Sequence, residues 1–202
     1  MENAIAVPHL TMEQIEAGMA EVRRSPRDAG TLDLLVRRPE VDAREILDEG
    51  RLDLGAGLRG DTWAQRGSGR TSDGSAHPDM QLNVINSRFA ALIAGSAHEA
   101  WALAGDQLFL DLDLSAEALP AWTRLAIGDV AVIEVTDQPH TGCAKFAARF
   151  GRDAHKTVWS DRGKELRLRG LNARVVVPGA VRPGDAVRVL AATVAEDTES
   201  TS

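Results

Sequence analysis

Hydrophobic residues recur at helical spacing near the start of the chain. Within residues 11–24 every third or fourth position is apolar, which predicts an amphipathic helix with one buried stripe. Thr11 and Gln14 have the spacing of a capping box, in which each side chain accepts a hydrogen bond from the other residue's backbone N–H. Pro26 and Gly30 end the helical pattern. The apolar stripe consists of Met12, Ile15, Met19 and Val22.

Short β-patterned runs replace the helical pattern after residue 30. Residues 108–114 alternate leucine with aspartate in their second half, and residues 129–136 are a nearly continuous β-branched run. Many short strands with few helices between them favour a mainly β (α+β) fold, built as a barrel or sandwich rather than as a doubly wound sheet. The other predicted strands are 31–38, 81–86, 166–169, 173–177 and 186–194, with a helix at 87–94.

Two segments lack a clear period. Residues 41–50 are acidic and predict a short helical or irregular stretch that faces solvent. Residues 55–80 are rich in glycine and serine, and a loop of this length in a compact domain is usually a functional lid or a disordered segment. The sequence leaves open whether residues 62–80 cover a pocket or extend into solvent.

We predict one β-barrel or sandwich domain at residues 31–194, an N-terminal helical extension at residues 1–30 and a flexible acidic tail at residues 195–202. The first ten residues lack the basic start and apolar run of a secretory signal, and no run approaches the length needed to span a bilayer. The single cysteine excludes an internal disulfide and fits a reducing compartment. We therefore expect a cytoplasmic protein that has no membrane partner.

The net charge of −7 argues against a general nucleic-acid binder, since such proteins are normally basic. Aromatic residues, on which unpaired bases could stack, make up only 4% of the chain. We therefore predict no nucleic-acid partner, and basic pairs such as Arg37 and Arg38 predict solvated faces. His77, His98 and His155 show no ligand spacing, which argues against a zinc site.

The strongest candidate for chemistry is Cys143, the only cysteine. Thr141 or Gly142 can cap a helix that Gly151 would end, which places Cys143 in the first turn. Unpaired N–H groups and the positive end of the helix dipole favour a thiolate there, and thus a nucleophile or metal ligand. The alternative is a small buried apolar residue at a helix start.

The neighbours of Cys143 favour the reactive interpretation. Lys145 and Arg149 lie four residues apart on an adjacent helical face and add positive potential near the sulfur. Phe146 and Phe150 share the face of the cysteine and can anchor the helix. His140 precedes the helix and predicts either an acid–base group with a pKa near neutrality or a turn residue bonded to backbone.

Charged residues also alternate with leucine in two of the predicted strands. Asp111 and Asp113 would lie on one side of a strand and could form a paired acid and base, although a solvated strand face is the simpler interpretation. Arg167 and Arg169 likewise predict an exposed strand face.

Several motifs follow one another along the second half of the chain. They occupy residues 111–115, 119–120, 123–129, 135–136, 139–146, 149–151, 166–170 and 179–185. In this order they resemble the MOSC domain family, whose name refers to the C-terminal domain of molybdenum cofactor sulfurases. The resemblance covers roughly residues 55–192. It implies a MOSC-like β-barrel with peripheral helices, to which the N-terminal helix is added.

The resemblance also implies a cysteine that carries persulfide sulfur or ligates the molybdenum of a pterin cofactor, and only Cys143 can fill that role. Soft thiolate sulfur suits such a metal, and the phosphate of the pterin needs cationic or backbone N–H partners. The implied phosphate partners are Lys145, Arg149, Arg88 and Arg59. Asn83 and Asn86 are either hydrogen-bonding residues for the pterin or substrate, or caps at strand ends.

The chain departs from the family pattern in the loose loop. Some reductase members carry His-Gly-Gly after their Gly-x-x-Gly-Asp motif, whereas here residues 57–61 are followed by a long loop and then His77. Part of the expected pocket is therefore built differently. The chain carries no flavin, haem or iron–sulfur signature and no aminotransferase-like region, so electrons or sulfur would come from a separate donor protein.

We derive three hypotheses from these residues. In the leading one, the chain is a molybdenum–pterin reductase of N-hydroxylated or N-oxygenated small molecules, with Cys143 as metal ligand and His140 handling the proton. In the second, Cys143 carries persulfide sulfur to another enzyme. In the third, the barrel is a binding module without catalysis that recognises a pterin or a protein partner.

Overall fold

The computed structural model describes residues 7–191, and a closed barrel of seven strands forms its centre. The strands are β1 (Ala29–Arg37), β2 (Glu45–Ile46), β3 (Gly50–Asp53), β4 (Gly57–Leu58), β5 (Leu82–Asn86), β6 (Leu108–Asp111), β7 (Arg124–Ile127), β8 (Ala131–Val135), β9 (Leu171–Val177), β10 (Gly179–Val181) and β11 (Ala186–Leu190). The helices are α1 (Met12–Val22), α2 (Ser87–Ala94), α3 (His98–Ala102), α4 (Ala144–Phe150), α5 (Arg152–Trp159) and α6 (Asp161–Glu165).

The barrel closes because β1 pairs with both β6 and β11. Around the ring the order is β1, β11, β7, β8, β9, β5 and β6. All neighbours are antiparallel except β5 and β6, whose parallel pairing needs the crossover that α2 and α3 supply. A second sheet of β10, β3 and β4 is not hydrogen-bonded to the ring but packs against it, and Leu52, Leu58 and Val181 join the interior apolar cluster. The structure confirms the mainly β prediction and the barrel.

Two apolar clusters surround the barrel wall, one inside it and one beneath the helices. Ile133 belongs to the interior cluster, whereas Phe89 and Phe150 pack in the outer cluster. Successive side chains of a strand point to opposite faces, so β1 contributes Leu35 to the interior and Leu34 to the outer cluster. This two-sided burial explains why β1 is almost continuously apolar.

The helices predicted at 11–24 and 87–94 are confirmed, and so is the capping box of the first one. Thr11 and Gln14 form the capping box, with N···O distances of 2.9 and 3.3 Å. The helix predicted at 87–94 is α2, and the Oδ1 atom of Asn86 caps it by accepting from the backbone N–H of Phe89 at 2.8 Å. Within residues 7–191 every helix falls short of the length and apolar character that a membrane crossing requires.

The strand predicted at 166–169 is wrong. These residues form the turn after α6, and Arg167 has a φ of 46°. Leu168 is buried in the outer cluster and Arg169 is only 7% exposed, so the predicted exposed face of Arg167 and Arg169 is also wrong. Four residues that alternate apolar and charged fit a turn as well as a strand. A turn of this kind also buries one apolar side chain, so the short pattern is the same.

Three further segments differ in detail from their predictions. The strand predicted at 108–114 ends at Asp111, which pairs with Arg88, whereas Asp113 lies beyond the strand and pairs with Arg27. The two aspartates therefore do not act as a pair. Residues 41–50 contain β2 and no helix. The strand predicted at 186–194 ends at Leu190, and the tail at 195–202 lies outside the described residues.

Candidate functional site

A cavity of 560 Å³, here called the large cavity, lies among the segments 38–44, 62–70 and 139–149. The glycine- and serine-rich segment at residues 55–80 therefore lines a pocket. Seven basic side chains face the large cavity, against two carboxylates, those of Glu40 and Asp42. The basic residues are Arg38, Arg44, Arg66, Arg70, Lys145, Arg149 and Arg169. This excess of positive charge suits an anionic ligand.

Arg38 and Asp61 form a buried, two-pronged ion pair at this site. The Nε and Nη2 atoms of Arg38 lie 2.8 Å from the two carboxylate oxygens of Asp61, and both side chains are almost fully buried. Arg38 also donates to the Oδ1 atom of Asn83 at 2.8 Å, while Asn83 donates to Asn172 at 2.7 Å. The predicted solvated face of Arg38 is therefore wrong, because its charge is neutralised inside the protein.

A second buried ion pair joins Arg169 to Asp106. The Nη1 atom of Arg169 lies 2.7 and 2.9 Å from the two oxygens of Asp106, and Nη2 donates to the carbonyl of Ala104 at 3.0 Å. The guanidinium also lies 5.1 Å from the ring centroid of Phe146, which ties it to α4. Burial raises the pKa of the Asp106 carboxyl, and the charge of Arg169 opposes that shift.

Cys143 lies at the rim of the large cavity as the N-cap of α4. The helix begins at Ala144, so the cysteine precedes the first turn in which it was predicted. Its side chain is exposed, which overturns the alternative of a small buried residue. Phe146 and Phe150 anchor the helix as expected, with both rings buried and their centroids 4.9 Å apart. The thiol is thus accessible on a fixed helix.

Gly142, the residue before Cys143, is also fixed by its neighbours. The indole N–H of Trp159 donates to the carbonyl oxygen of Gly142 at 3.0 Å. A Cβ atom at Gly142 would lie 3.0 Å from Val158 and 3.3 Å from the indole nitrogen, so only glycine fits there without displacement. The backbone that carries Cys143 is therefore fixed on both sides.

Lys145 and Arg149, which the sequence predicts as phosphate partners, both line the large cavity and share one carboxylate. Their nitrogens lie 2.6 and 3.1 Å from the Oδ1 atom of Asp42. Arg149 also donates to the carbonyl of Leu103 at 2.7 Å. The hydrogen bond from Lys145 lowers the pKa of the Asp42 carboxyl, which keeps it ionised as the counter-ion of both cations.

Arg44 and Arg66 are basic residues of the rim for which residues 7–191 supply no ion-pair partner. Arg44 is half-buried and donates only to the carbonyl of Ala43, at 2.6 Å, and its Nε atom is buried without a partner in this part of the chain. Burial, together with the charges of Arg149 and Arg38, lowers the pKa of the Arg44 guanidinium. These groups would gain most from a bound anion.

His140 is nearly buried beside the ion pair of Asp106. Its Nδ1 atom lies 3.4 Å from the Oδ1 atom of Asp106, without hydrogen-bond geometry and with no other partner in residues 7–191. Burial, together with the charges of Arg169 and Arg38, holds the pKa of the imidazole well below its usual value. The predicted pKa near neutrality is therefore wrong, and the ring is neutral at pH 7.

Three predicted ligand contacts lie away from the large cavity. Arg59 pairs with Asp53 at 3.0 Å, and Arg88 pairs with Asp111 at 2.6 Å and with Glu21 at 2.8 Å. Asn86 caps α2 and donates to Ser25 and to the carbonyl of Leu112, each at 2.8 Å. Their nearby partners satisfy these side chains, so the geometry gives them structural roles. Asn83 does line the large cavity.

The sequence interpretation missed three arginines that line the large cavity, Arg38, Arg44 and Arg66. It also missed Asp61 and Asp106, the buried counter-ions of Arg38 and Arg169. The one local signal was Pro39, which stops an apolar strand directly after Arg38 and brings that arginine to the strand end. Within residues 7–191 no group of three or more His, Cys, Asp or Glu side chains could hold a metal ion.

Comparisons with known proteins agree with this architecture. A family model for the MOSC domain matches residues 76–188. The solved structure of the YUAD protein from Bacillus subtilis is 18% identical, with a TM-score of 0.55 over 80% of this chain and 95% of that one. YiiM from Escherichia coli is 20% identical, with a TM-score of 0.51 over 80% of this chain and 70% of that one.

A search of the curated proteins found no match. The two solved structures support the fold alone, because their sequence identity to this chain is low. The family model covers more than half of the chain, from residue 76 before β5 into β11, and it includes Cys143 and His140. The chain belongs to the MOSC domain family.

Proposed function

We propose that the large cavity binds a molybdenum–pterin cofactor and that the chain reduces N-hydroxylated or N-oxygenated small molecules. The observation that carries this proposal is an exposed thiol, that of Cys143, at the rim of a pocket with excess positive charge. Thiolate sulfur is a suitable ligand for molybdenum, and the cations suit the phosphate of the pterin. Membership of the MOSC domain family supports the same cofactor.

The residues present fit such a group. Arg44 and Arg66 have no counter-ion in the described chain, and the buried Nε atom of Arg44 has no acceptor. A phosphate would supply both the charge and the acceptor. Lys145 and Arg149 could join them once Asp42 is displaced. Cys143, in the lining segment at residues 139–149, would hold the metal.

When bound, the cofactor supplies a two-electron redox centre that can accept oxygen from an N–O bond. The chain's own residues provide the rest of the chemistry. Reduction of the N–O bond consumes two protons together with the two electrons and releases water, so protons have to reach the product from solvent. Burial keeps His140 neutral, and a neutral imidazole can relay such a proton by accepting it at one ring nitrogen while it releases one from the other. The buried pair of Arg169 and Asp106 fixes the environment of that ring. Electrons would come from a separate donor protein.

Persulfide transfer is the second candidate function, and the exposure of Cys143 favours it. A persulfide carrier needs an accessible thiol that a partner enzyme can approach, and the rim position provides one. It does not need the unpaired cations of the pocket, which is why we rank it second. Its signature is a gain of one sulfur atom in mass on Cys143 that dithiothreitol removes.

The test is reduction of an N-hydroxylated amidine by protein produced in a host that makes the cofactor, with reduced methyl viologen as electron source. Wild-type protein should turn over, and Cys143→Ser should lose activity. Arg59→Gln, outside the large cavity, is the matched control and should retain it. Metal-loaded wild-type protein that fails on every N-hydroxylated and N-oxygenated compound would refute the reductase function. A reducible extra sulfur on Cys143 would then favour the carrier.

A further inference from the structure

A second cavity of 360 Å³, here called the small cavity, adjoins the segment that carries Cys143. Pro139, His140 and Thr141 line both cavities, so this segment forms the wall between them. The small cavity is otherwise lined by the ends of α5 and α6, by the turn that follows α6, and by the residues after β8. Its volume is at the lower end of the range for small-molecule sites.

Trp159 gives the small cavity an aromatic wall. The side chain is 43% exposed, although its indole N–H is fixed by the hydrogen bond to Gly142 at 3.0 Å. A large aromatic ring that is both exposed and fixed offers a face on which a planar ligand can stack at little entropic cost. The ammonium of Lys164 lies 5.8 Å from the centroid of the same ring.

Arg167 gives the small cavity an uncompensated charge. Its backbone adopts a left-handed φ of 46°, and its Nη1 atom donates to the carbonyl of Leu119 at 2.6 Å. Within residues 7–191 it pairs with no carboxylate, and burial alone lowers the pKa of its guanidinium. A half-buried guanidinium without a counter-ion favours an anionic ligand.

The carboxylates near the small cavity do not neutralise the charge of Arg167. Asp137 lines the small cavity and keeps its negative charge, since its donor at 2.8 Å is the neutral amide of Gln138, but it forms no ion pair with Arg167 or Lys164. Asp161 is 3.9 Å from the ammonium of Lys164, at the limit of an ion pair, and is fully exposed. The third basic residue of the lining, Arg169, is neutralised by Asp106. Arg167 and Lys164 therefore remain available to a ligand.

We propose that the small cavity binds a planar aromatic molecule with one carboxylate group. The ring stacks on Trp159, and the carboxylate contacts Arg167 and Lys164. This site is independent of the molybdenum cofactor, because none of these three residues lines the large cavity. A ligand in the small cavity would nevertheless lie against the wall that carries His140. Because Trp159 holds Gly142, the residue before Cys143, binding in the small cavity can change the environment of the Cys143 thiol.

The test is a titration of nitrogen-15-labelled protein with benzoate, followed through the indole N–H signals of tryptophan. The signal of Trp159 is assigned by its loss in Trp159→Phe. We expect it to shift saturably, while the signal of Trp122, which is exposed outside the small cavity, stays in place. Benzamide has the same shape without the charge, and we expect it to bind about tenfold more weakly.

Two variants locate the charge. Arg167→Gln should weaken benzoate binding about tenfold, and Lys164→Gln should weaken it about threefold. Lys156→Gln, on the exposed side of α5, is the control and should change nothing. The proposal is overturned by a Trp159 signal that does not shift, or by equal binding of benzoate and benzamide. It is also overturned if Lys164→Gln binds benzoate with unchanged affinity. Lys164 is exposed, so this variant should fold even if Arg167→Gln does not.

Discussion

The large cavity uses arginine in two different ways in two adjacent regions. Where the cavity meets the barrel, Arg38 and Arg169 are almost fully buried, and each is neutralised by one aspartate within 2.9 Å. At the rim, Arg44 and Arg66 line the same space and have no ion-pair partner in the described chain. The first pair stabilises the fold, because a buried charge needs its counter-ion. Arg44 and Arg66 have no counter-ion in the described chain, which is why we propose them as partners of an anionic ligand.

The largest expected effect comes from breaking a buried pair. Asp61→Asn should lower the free energy of unfolding by about 3–5 kcal/mol, because Arg38 would stay buried without its counter-ion. Urea denaturation followed by circular dichroism measures this change. Asp53→Asn, which disrupts the more exposed pair with Arg59, is the matched control and should cost at most about 1 kcal/mol. Equal losses in the two variants would contradict the distinction between the regions.

The neutral state of His140 predicts a pH dependence of stability. Below the unfolded-state pKa of about 6.5 the unfolded chain takes up a proton that the folded ring resists, so stability falls as pH decreases. His140→Gln removes this contribution. Relative to the variant, wild-type protein should lose about 1.4 kcal/mol per pH unit once the pH is well below 6.5. If the difference in free energy of unfolding between wild type and His140→Gln stays constant from pH 7 to pH 5, the folded protein does not disfavour protonation of the ring.

Replacing Arg44 should affect ligand binding and not stability, whereas breaking the ion pair of Arg38 should affect stability. Because Arg44 is half-buried with no carboxylate partner, Arg44→Gln should leave the free energy of unfolding within about 0.5 kcal/mol of wild type, or raise it. The same variant should weaken the binding of inorganic pyrophosphate about tenfold, as measured by calorimetry. Arg59→Gln serves as the control outside the large cavity. A destabilised Arg44→Gln protein with unchanged pyrophosphate affinity would reverse our assignment.

The smallest effect should come from the shared carboxylate at the rim. Asp42→Asn frees Lys145 and Arg149, so pyrophosphate should bind about threefold more tightly and with a steeper dependence on salt. Calorimetry at two salt concentrations measures both changes. Asp153→Asn, near Lys156 on α5 and outside the large cavity, should change neither. Weaker binding in Asp42→Asn would mean that Asp42 positions the two cations for the ligand.

The barrel was largely predictable because its signals are local. Alternating or continuous apolar runs located β1, β5, β8 and β9, and the capping box of Thr11 and Gln14 could be inferred from short spacing. The turn at 166–169 failed because four alternating residues carry too little information to separate a turn from a strand.

The site was less predictable because its charges are paired over long distances in sequence. Arg169 lies 63 residues from Asp106, and Arg38 lies 23 from Asp61, so no local pattern shows that these arginines are neutralised. Arg88 and Arg59 were predicted as phosphate partners, but nearby carboxylates occupy them. Cys143 was found because its helix start and its neighbours form one continuous motif.

The most direct test of the account is to measure molybdenum and pterin together in wild-type protein, Cys143→Ser and Arg44→Gln, all produced in a host that makes the cofactor. We predict near-stoichiometric metal and pterin in wild type, loss of metal with some pterin retained in Cys143→Ser, and a lower content of both in Arg44→Gln. Wild-type protein that carries neither, or Cys143→Ser protein that keeps its full molybdenum content, would contradict the assignment of the rim cations and the thiol to one cofactor.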